Sequence, residues 1–328
     1  MTRVLSIDLG GTNVRWCVYE PDNNKLVPGE RGSASIQQSL VETLCNLAGR
    51  QFDGIGIGAA GLYDPASDRI QLEKYPNGGI ALAPIRKFLS GPIEVANDLE
   101  AQAYGIGTPA IADSELVFQA SHETWTAKPG GTQLYNAGTG LGIVSEFAGR
   151  VYPSESGNTP IPMPRDRNTA ELFAPVFEAL RKTAPLPRLE DIVSGPGTEF
   201  LSRHCGCPSP EHPQLRNGWV GSGAPGVEKY LRIFGTLLGL KMQELVLSYT
   251  WMPVRRILLA GNVFNGCPEL VKNRWVQAAF LATAVHPQLV QQVEVRLCRN
   301  ADIGLDGPAY MVVKRLGLSD HPFLRSAS

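Results

Sequence analysis

The sequence VLSIDLGGTNVRWCVYE, residues 4–20, contains two β-type runs separated by a Gly-Gly-Thr-Asn turn. The runs cover residues 4–8 and 14–19, and two such runs around a short glycine turn are typical of a β-hairpin. Asp8 ends the first run, and the turn presents backbone N–H groups and the Thr12 hydroxyl. The stretch is therefore either an ordinary hairpin or a turn that binds an anion.

A second glycine turn occurs near the middle of the chain, in the sequence LYNAGTGLGIV, residues 134–144. It places Gly138, Thr139, Gly140 and Gly142 directly before an apolar run. Glycine permits positive φ and lets another group approach the backbone, so this turn could direct several N–H groups at a phosphate. A turn between two strands explains the pattern equally well. Neither turn is a Walker A loop, because no Gly-Lys-Ser/Thr follows. Neither is a Rossmann fingerprint, because each turn leads into a strand rather than a helix.

The composition favours a soluble protein of two domains. The chain has 328 residues, 43% of them apolar, which is enough for two domains with sizeable cores. Its 30 basic and 31 acidic residues give a net charge of −1, so nothing indicates a nucleic-acid partner or a solvating acidic tail. No apolar run reaches the length of a membrane span, and the first strand begins at Val4. We therefore expect a cytoplasmic protein without a signal peptide.

Strand-like and helix-like segments alternate along the chain, which predicts an α/β fold. Beyond the hairpin, strands are predicted at residues 54–62, 92–98 and 255–261. Helices are predicted at residues 35–49, 99–105, 227 to about 247, 267–282 and 307–317. The polar stretches at 113–129 and 202–226 favour loops.

The sequence HCGCPSPEH brings together two thiols and two imidazoles, at His204, Cys205, Cys207 and His212. Such a set could bind zinc, but the Cys-x-Cys spacing is tighter than that of most zinc sites. A Pro/Gly-rich surface turn with free thiols is the simpler interpretation. The other four cysteines lie among apolar neighbours, as small buried thiols usually do.

The sequence ANDLEA places Asn97 and Asp98 at the carboxyl end of a predicted strand. Open α/β sheets bind ligands at such ends, and a carboxylate there could accept a proton from an alcohol. Both residue types are also common helix N-caps, so a purely structural role is the alternative.

Six motifs together resemble the bacterial glucokinase family, which belongs to the hexokinase–actin–Hsp70 superfamily of ATP-binding folds. In chain order they are IDLGGTNVR, NDLEAQAYG, AGTGLG, ESGN, EDIVSGPG and LLAGN, and the resemblance runs from about residue 4 to residue 316. It implies an α/β, two-domain hexokinase/actin-like (ribonuclease H-like) fold with ATP and the sugar in a cleft between the domains. The implied small domain is 1–105, completed by a C-terminal helix within 301–328, and the implied large domain is 106–300.

The resemblance also implies which residues hold ATP. The two glycine turns would hold its phosphates, Gly261 would lie on the adenosine side, and Asp8 would orient Mg²⁺ through water. The implied ATP-binding residues are Asp8, Gly10, Gly11, Thr12, Asn13, Gly138, Thr139, Gly140 and Gly261. Asn262 stands where the family more often has a second glycine.

The sugar-binding residues implied by the resemblance are Asn97, Asp98, Glu155, Asn158 and Glu190, with Asp98 as the base toward the sugar 6-hydroxyl. The sequence departs from the family at Asn158, which occupies the histidine position of a Glu-x-Gly-His box. It also departs in the segment 75–79, where Gly78 and Gly79 stand in for the usual aromatic residue.

The function implied is ATP-dependent phosphorylation of glucose to glucose 6-phosphate, a reaction of glycolysis. Because of Asn158, a kinase for mannose, an amino sugar or a cyclitol is the alternative. A second alternative is a non-catalytic sugar-sensing protein, although such proteins usually carry a helix-turn-helix before the first phosphate turn, and only three residues precede that strand here. The family is commonly dimeric, so a homodimer is compatible with the resemblance.

Overall fold

The computed structural model of the protein describes residues 2–10, 13–22, 25–35, 52–72, 79–87, 91–107, 114–119, 130–207, 226–282 and 285–318. The chain divides into two compact units. Unit 1 comprises Met1–Asp113, Ala148–Pro153 and Asn300–Ser328, and unit 2 comprises Ser114–Phe147 and Ser154–Arg299.

The strands of the described residues are, in chain order, β1 (Val4–Leu9), β2 (Asn13–Asp22), β3 (Lys25–Ser35), β4 (Gly54–Ala59), β5 (Leu62–Asp64), β6 (Arg69–Gln71), β7 (Ile80–Ala81), β8 (Ile93–Asn97), β9 (Glu115–Gln119), β10 (Gly131–Ala137), β11 (Leu141–Phe147), β12 (Arg150–Ser154), β13 (Val254–Ala260) and β14 (Glu294–Leu297).

The α-helices of the same residues are α1 (Ala83–Arg86), α2 (Asp98–Tyr104), α3 (Arg167–Arg181), α4 (Gly195–Cys205), α5 (Val227–Ser248), α6 (Asn262–Gly266), α7 (Glu269–Lys272), α8 (Arg274–Leu281), α9 (Pro287–Gln291) and α10 (Ile303–Arg315). Short 3₁₀ turns cover Gly105–Gly107, Ser156–Asn158 and Leu189–Asp191. Of these helices, none combines the length and the apolar character that a membrane span requires.

Unit 1 is built around a sheet with the strand order β3-β2-β1-β4-β8. Strand β1 pairs antiparallel with β2, from Val4 opposite Tyr19 to Leu9 opposite Val14, so the predicted hairpin is confirmed. On its other side β1 pairs parallel with β4, and β4 pairs parallel with β8. This arrangement brings the carboxyl ends of three parallel strands to one edge of the sheet.

The sequence GIGIGA of β4 explains how helices reach this sheet. Ile55 and Ile57 point into the core on one face and are fully buried. The glycines point to the other face, where a Cβ on Gly56 would collide with the carbonyl oxygen of Pro308 in α10. A Cβ on Gly58 would lie 3.6 Å from the Cα of Asp98. The bare face therefore allows α10 and the start of α2 to lie directly against the strand.

Unit 2 contains a second sheet, in which β11, β10, β13, β14 and β9 are neighbours in that order. Strand β10 pairs antiparallel with β11 and parallel with β13. The long helix α5 packs in the core of this unit and is buried on nearly all sides. Even the polar side chains of Lys241 and Gln243 are buried. The helix predicted from residue 227 to about 247 is thus confirmed and lies inside the unit rather than on its surface.

Three predicted loops and helices differ from the structure. Residues 115–119 form strand β9 rather than loop, because pairing with β14 supplies backbone hydrogen bonds that the mostly polar stretch 113–129 does not reveal. Residues 202–205 end helix α4. The helix predicted at 267–282 is interrupted at Asn273, whose side chain accepts hydrogen bonds from the first N–H groups of α8. The helix predicted at 35–49 and most of the segment 75–79 lie outside the described residues.

Candidate functional site

Asp8 lies near the end of β1 and is held by an arginine on the neighbouring strand. Arg15 is directly opposite it in the β1–β2 register and donates from Nε at 3.1 Å and from Nη2 at 2.5 Å to Asp8 Oδ2. Burial raises the pKa of Asp8, and the Arg15 guanidinium opposes that shift. The ion pair therefore keeps a half-buried carboxylate in one orientation at the strand end.

The first turn of α10 approaches this ion pair closely. A Cβ on Gly304 would lie 2.8 Å from Asp8 Oδ2 and 3.1 Å from Arg15 Nη2, so only glycine fits without displacing the pair. Arg15 Nη1 also donates to the carbonyl oxygen of Ala301 at 3.3 Å. Nearly 300 residues separate Asp8 from Gly304, so no local sequence pattern could have indicated this contact.

Asn97 and Asp98 lie where β8 passes into α2. Asn97 Oδ1 accepts from the Leu99 N–H at 3.0 Å, which makes Asn97 the N-cap of α2, and Asp98 Oδ1 accepts from the same N–H at 2.8 Å. Burial raises the pKa of Asp98, the negative charge of Asp8 adds to the shift, and the bonds from Leu99 and Asn97 oppose it. A carboxylate of raised basicity at a strand end has the properties of a general base.

The first glycine turn, between β1 and β2, is described only at its ends. The Gly10 N–H donates to the Asn13 carbonyl oxygen at 3.0 Å, which closes the turn. Gly11 and Thr12 lie outside the described residues.

The second glycine turn, Gly138–Gly140, connects β10 to β11 in unit 2. The Gly138 N–H donates to the Gly140 carbonyl oxygen at 2.9 Å, and the Gly195 N–H donates to the Gly138 carbonyl oxygen at 2.7 Å. Neither Gly138 nor Gly140 has a positive φ, so the expectation that this turn uses positive φ is wrong. Close approach matters at Gly140, where a Cβ would lie 3.1 Å from Glu190 Oε2, whereas no atom lies within 4 Å of a Cβ on Gly138.

A cavity of about 790 Å³ opens beside this turn, within unit 2. It is lined by Gly138, Thr139, Gly195, Pro196, Thr198, Glu199, Asn262, Val263, Asn265, Gly266, Cys267 and Leu270. Its volume is in the range of cofactor sites. Gly138 and the first turn of the 11-residue helix α4 form part of its wall. The positive end of the α4 dipole favours an anion beside it, so the cavity suits a ligand that carries phosphate.

The motif LLAGN forms the end of β13 and the start of α6, next to this cavity. Gly261 has φ 97°, and a Cβ there would collide with Asn136 Oδ1. Asn262 begins helix α6 and does not have a positive φ. The second glycine of the family pattern is therefore not needed for the backbone here.

Glu155, Asn158, Arg188 and Glu190 form one hydrogen-bonded network in unit 2. Asn158 Nδ2 donates to Glu155 Oε2 at 2.7 Å, and Asn158 Oδ1 accepts from Arg188 Nη1 at 3.1 Å. The same Nη1 lies 3.0 Å from Glu190 Oε1. The structure thus brings together the three residues predicted from the ESGN and EDIVSGPG motifs, and it adds Arg188, which no motif indicated.

Lys241 supports this network from inside unit 2. Its side chain is only 1% exposed, and Nζ donates to Thr159 Oγ1 at 2.8 Å and to Glu244 Oε1 at 2.8 Å. Thr159 Oγ1 in turn donates to the Ser156 carbonyl oxygen at 2.8 Å, within the 3₁₀ turn that carries Asn158. A buried lysine is unusual. The sequence signal that could have indicated this role is a lysine within the otherwise apolar run of α5.

The HCGC segment shows no arrangement that suits zinc in its described part. Cys205 is buried, burial raises the pKa of its thiol to about 12, and the His204 Nδ1 lies 2.9 Å from the Phe200 carbonyl oxygen. Among the described residues, no three His, Cys, Asp or Glu side chains cluster so that they could hold a metal ion. His212 lies outside those residues.

Comparisons with known proteins add a family and a fold. A family model described as Glucokinase matches residues 85–315. Comparison with curated proteins gives no significant match. Among solved structures, a glucokinase from an Antarctic psychrotroph is 21% identical, with 96% of this chain and 99% of that chain covered and a TM-score of 0.73.

Two further structures show how widely this fold is used. A ROK-family glucokinase from Streptomyces griseus, in complex with glucose and AMPPNP, is 13% identical, with 95% of this chain and 99% of that chain covered and a TM-score of 0.61. A ROK-family transcriptional regulator, described as a homologue of the E. coli MLC protein, is 17% identical, with 99% of this chain and 80% of that chain covered and a TM-score of 0.67. Likenesses at these identities establish a shared α/β fold, and function has to be argued from the site.

Proposed function

The chain belongs to the glucokinase family of ATP-dependent sugar kinases and has the hexokinase/actin-like fold predicted from its sequence; on this premise we propose that it phosphorylates the 6-hydroxyl of glucose. The observation that carries the proposal is the position and environment of the Asp98 carboxylate. It is a half-buried carboxylate at the end of β8, and burial and the charge of Asp8 both raise its pKa.

The proposed role of Asp98 is that of general base. Its Oδ1 is held by the Leu99 N–H, which fixes the rotamer of the side chain. The carboxylate would take the proton of the sugar hydroxyl as that oxygen attacks the γ-phosphoryl group of ATP. Positioning and charge stabilisation supply most of the remaining rate enhancement in phosphoryl transfer.

The sugar hydroxyls would be recognised by Asn97, Glu155, Asn158 and Glu190. Carboxylates accept hydrogen bonds and amides both donate and accept, which matches the alternating demands of sugar hydroxyls. Glu155, Asn158 and Glu190 are already ordered by their mutual bonds and by Arg188. Preordered polar partners discriminate strongly against a substrate that lacks the matching hydroxyl.

ATP would bind in unit 2, with its phosphates at the Gly138–Gly140 turn and the first turn of α4. The open space at Gly138 fits a phosphate at that position. Mg²⁺ brought by ATP would neutralise phosphate charge, and a carboxylate oxygen is the type of donor that it prefers. We assign to Asp8, oriented by Arg15, the role of positioning that ion through water.

A different acceptor is the second candidate, and Asn158 favours it. The Asn158 amide is engaged by Glu155 on one side and Arg188 on the other, and it carries no charge at any pH. Mannose, an amino sugar and a cyclitol each differ from glucose in a hydroxyl or in the ring, and an asparagine in place of the family's histidine could accommodate such a difference. A cytoplasmic location is part of the proposal, and a homodimer is compatible with the resemblance to the family.

A coupled ADP-release assay tests the proposal. Glucose, mannose, glucosamine, 2-deoxyglucose and myo-inositol are compared at saturating MgATP. We expect sugar-dependent ADP release with glucose among the accepted substrates. A strong preference for another member of the panel would favour the second candidate. Binding of a sugar without any ADP release would instead favour a non-catalytic sugar-sensing protein.

A further inference from the structure

Arg188 lies between the sugar-binding side chains of unit 2. Its Nη1 is 3.1 Å from Asn158 Oδ1 and 3.0 Å from Glu190 Oε1, and its Nη2 is 3.2 Å from Asp191 Oδ1. The backbone N–H of Arg188 also donates to Asp191 Oδ2 at 2.8 Å. A planar guanidinium with several acceptors fixes their relative directions, which a single point charge cannot do.

Glu190 connects this arginine to the glycine turn. While Oε1 faces Arg188, Oε2 lies 3.5 Å from the Leu141 N–H and 3.1 Å from the position of a Cβ on Gly140. The carboxylate therefore accepts from the first residue of β11 and lies beside the last residue of the turn. A shift of Glu190 would change the position of the turn.

The segment that follows Glu190 contacts the other end of the same turn. Ile192 and Val193 are fully buried, and the Gly195 N–H donates to the Gly138 carbonyl oxygen at 2.7 Å. Residues 190–195 thus contact the turn at both Gly138 and Gly140, with a buried anchor between the two contacts. A displacement at Glu190 is therefore transmitted along this segment to the turn, because close-packed interiors deform little.

We propose that Arg188 is a positioning residue that couples sugar binding to nucleotide binding. The inference rests on the proposed function, because it assigns the sugar to Asn158 and Glu190 and the phosphates to the Gly138–Gly140 turn. A sugar that bonds to Asn158 and Glu190 adds to the contacts by which Arg188 already orders these two side chains, and Glu190 then holds the turn more firmly. Coupling of two binding equilibria is reciprocal, so nucleotide must tighten sugar binding by the same factor.

Isothermal titration calorimetry measures the coupling directly. The dissociation constant of Mg·AMPPNP is measured with and without the sugar that the wild-type protein binds most tightly, so the test does not depend on phosphoryl transfer. We expect the sugar to tighten AMPPNP binding by about 5-fold or more in the wild-type protein, the lower end of typical coupling. Arg188→Met should reduce that factor to below about 2-fold, and Arg188→Lys, which keeps the charge without the fork, should give an intermediate value.

Arg181→Met is the matched control. Arg181 lies on α3 of the same unit, is similarly exposed, and pairs with Glu178 at 3.5 Å. It should keep the wild-type factor. A wild-type protein without coupling, or an Arg188→Met or Arg188→Lys protein with the full wild-type factor, would overturn the inference. Failure of glucose as an acceptor would overturn the proposed function alone, because the calorimetric factor does not use turnover.

Discussion

Replacing Asp98 with asparagine removes the proposed base while it keeps the local structure. Asparagine has nearly the same shape, and its carbonyl oxygen can still accept from the Leu99 N–H, where Asp98 Oδ1 now accepts at 2.8 Å. Only the basicity is lost. A general base contributes roughly 10²–10⁴ to a rate, which corresponds to about 3–5 kcal/mol of activation free energy. We therefore expect kcat to fall by about that factor, with sugar affinity changed by less than about 3-fold.

The assay is steady-state ADP release, combined with calorimetric titration of the sugar. Glu100→Gln is the matched control, because Glu100 lies on the same helix, is also half-buried and also has a pKa raised by burial. Glu100 has no assigned role in the reaction, so its variant should keep kcat within about 2-fold. A kcat of Asp98→Asn within about 5-fold of the wild-type value would refute the assignment of the base.

The raised pKa of Asp98 also predicts the direction in which Asp98→Asn changes the Tm. Because the pKa of Asp98 is raised in the folded protein, folding disfavours its charged form, and that cost is fully present above the folded-state pKa. Asp98→Asn should therefore unfold at a Tm no lower than that of the wild-type protein at pH 7.5. The difference should shrink as the pH falls through the folded-state pKa. A lower Tm at pH 7.5 would mean that the charge stabilises the fold.

Three further predictions concern the rest of the site. Gly140→Val should weaken AMPPNP binding by about tenfold, because its Cβ would start 3.1 Å from Glu190 Oε2, and unchanged affinity in a folded variant would make the turn structural only. Asn158→His should raise kcat/KM for glucose relative to mannose and glucosamine by up to about tenfold, the value of one hydrogen bond, and an unchanged ratio would show that Asn158 is a neutral replacement. Asp8→Asn removes a negative charge that raises the pKa of Asp98, so the acid limb of its residual kcat/KM profile should move to lower pH, and a limb that stays in place or rises would contradict that coupling.

The sequence predicted those parts of the fold that depend on local patterns. The β1–β2 hairpin, the strand before Asp98 and helix α5 all follow from periodicity and turn residues over short distances. Strand β9 was not predicted, because its short apolar run lies in a mostly polar stretch and pairs with β14, about 180 residues later. The segment 54–62 was predicted as a strand, but the reason for the glycines of β4, their contact with α10, depends on residues about 250 positions away.

The residues of the candidate site also divide into those that a local motif indicates and those that only the fold brings together. Motifs indicated Asp98, Glu155, Asn158 and Glu190, because each lies in a short recognisable pattern. Arg188 was missed, since an arginine next to proline is ordinary at a surface and acquires meaning only when Asn158 lies 3.1 Å away. Of the two reasons that the sequence suggested for the turn at Gly140, positive φ is wrong and close approach holds, because a glycine sequence does not distinguish the two.

Identification of the reaction product tests the central claim most directly. The wild-type protein is incubated with glucose and MgATP, and the products are followed by ³¹P NMR alongside a parallel sample of Asp98→Asn. The account predicts glucose 6-phosphate formed in equal amount to ADP, with formation slowed by about 10²–10⁴ in the variant. Inorganic phosphate as the only phosphorylated product besides ADP, or a phosphate on another sugar carbon, would contradict it.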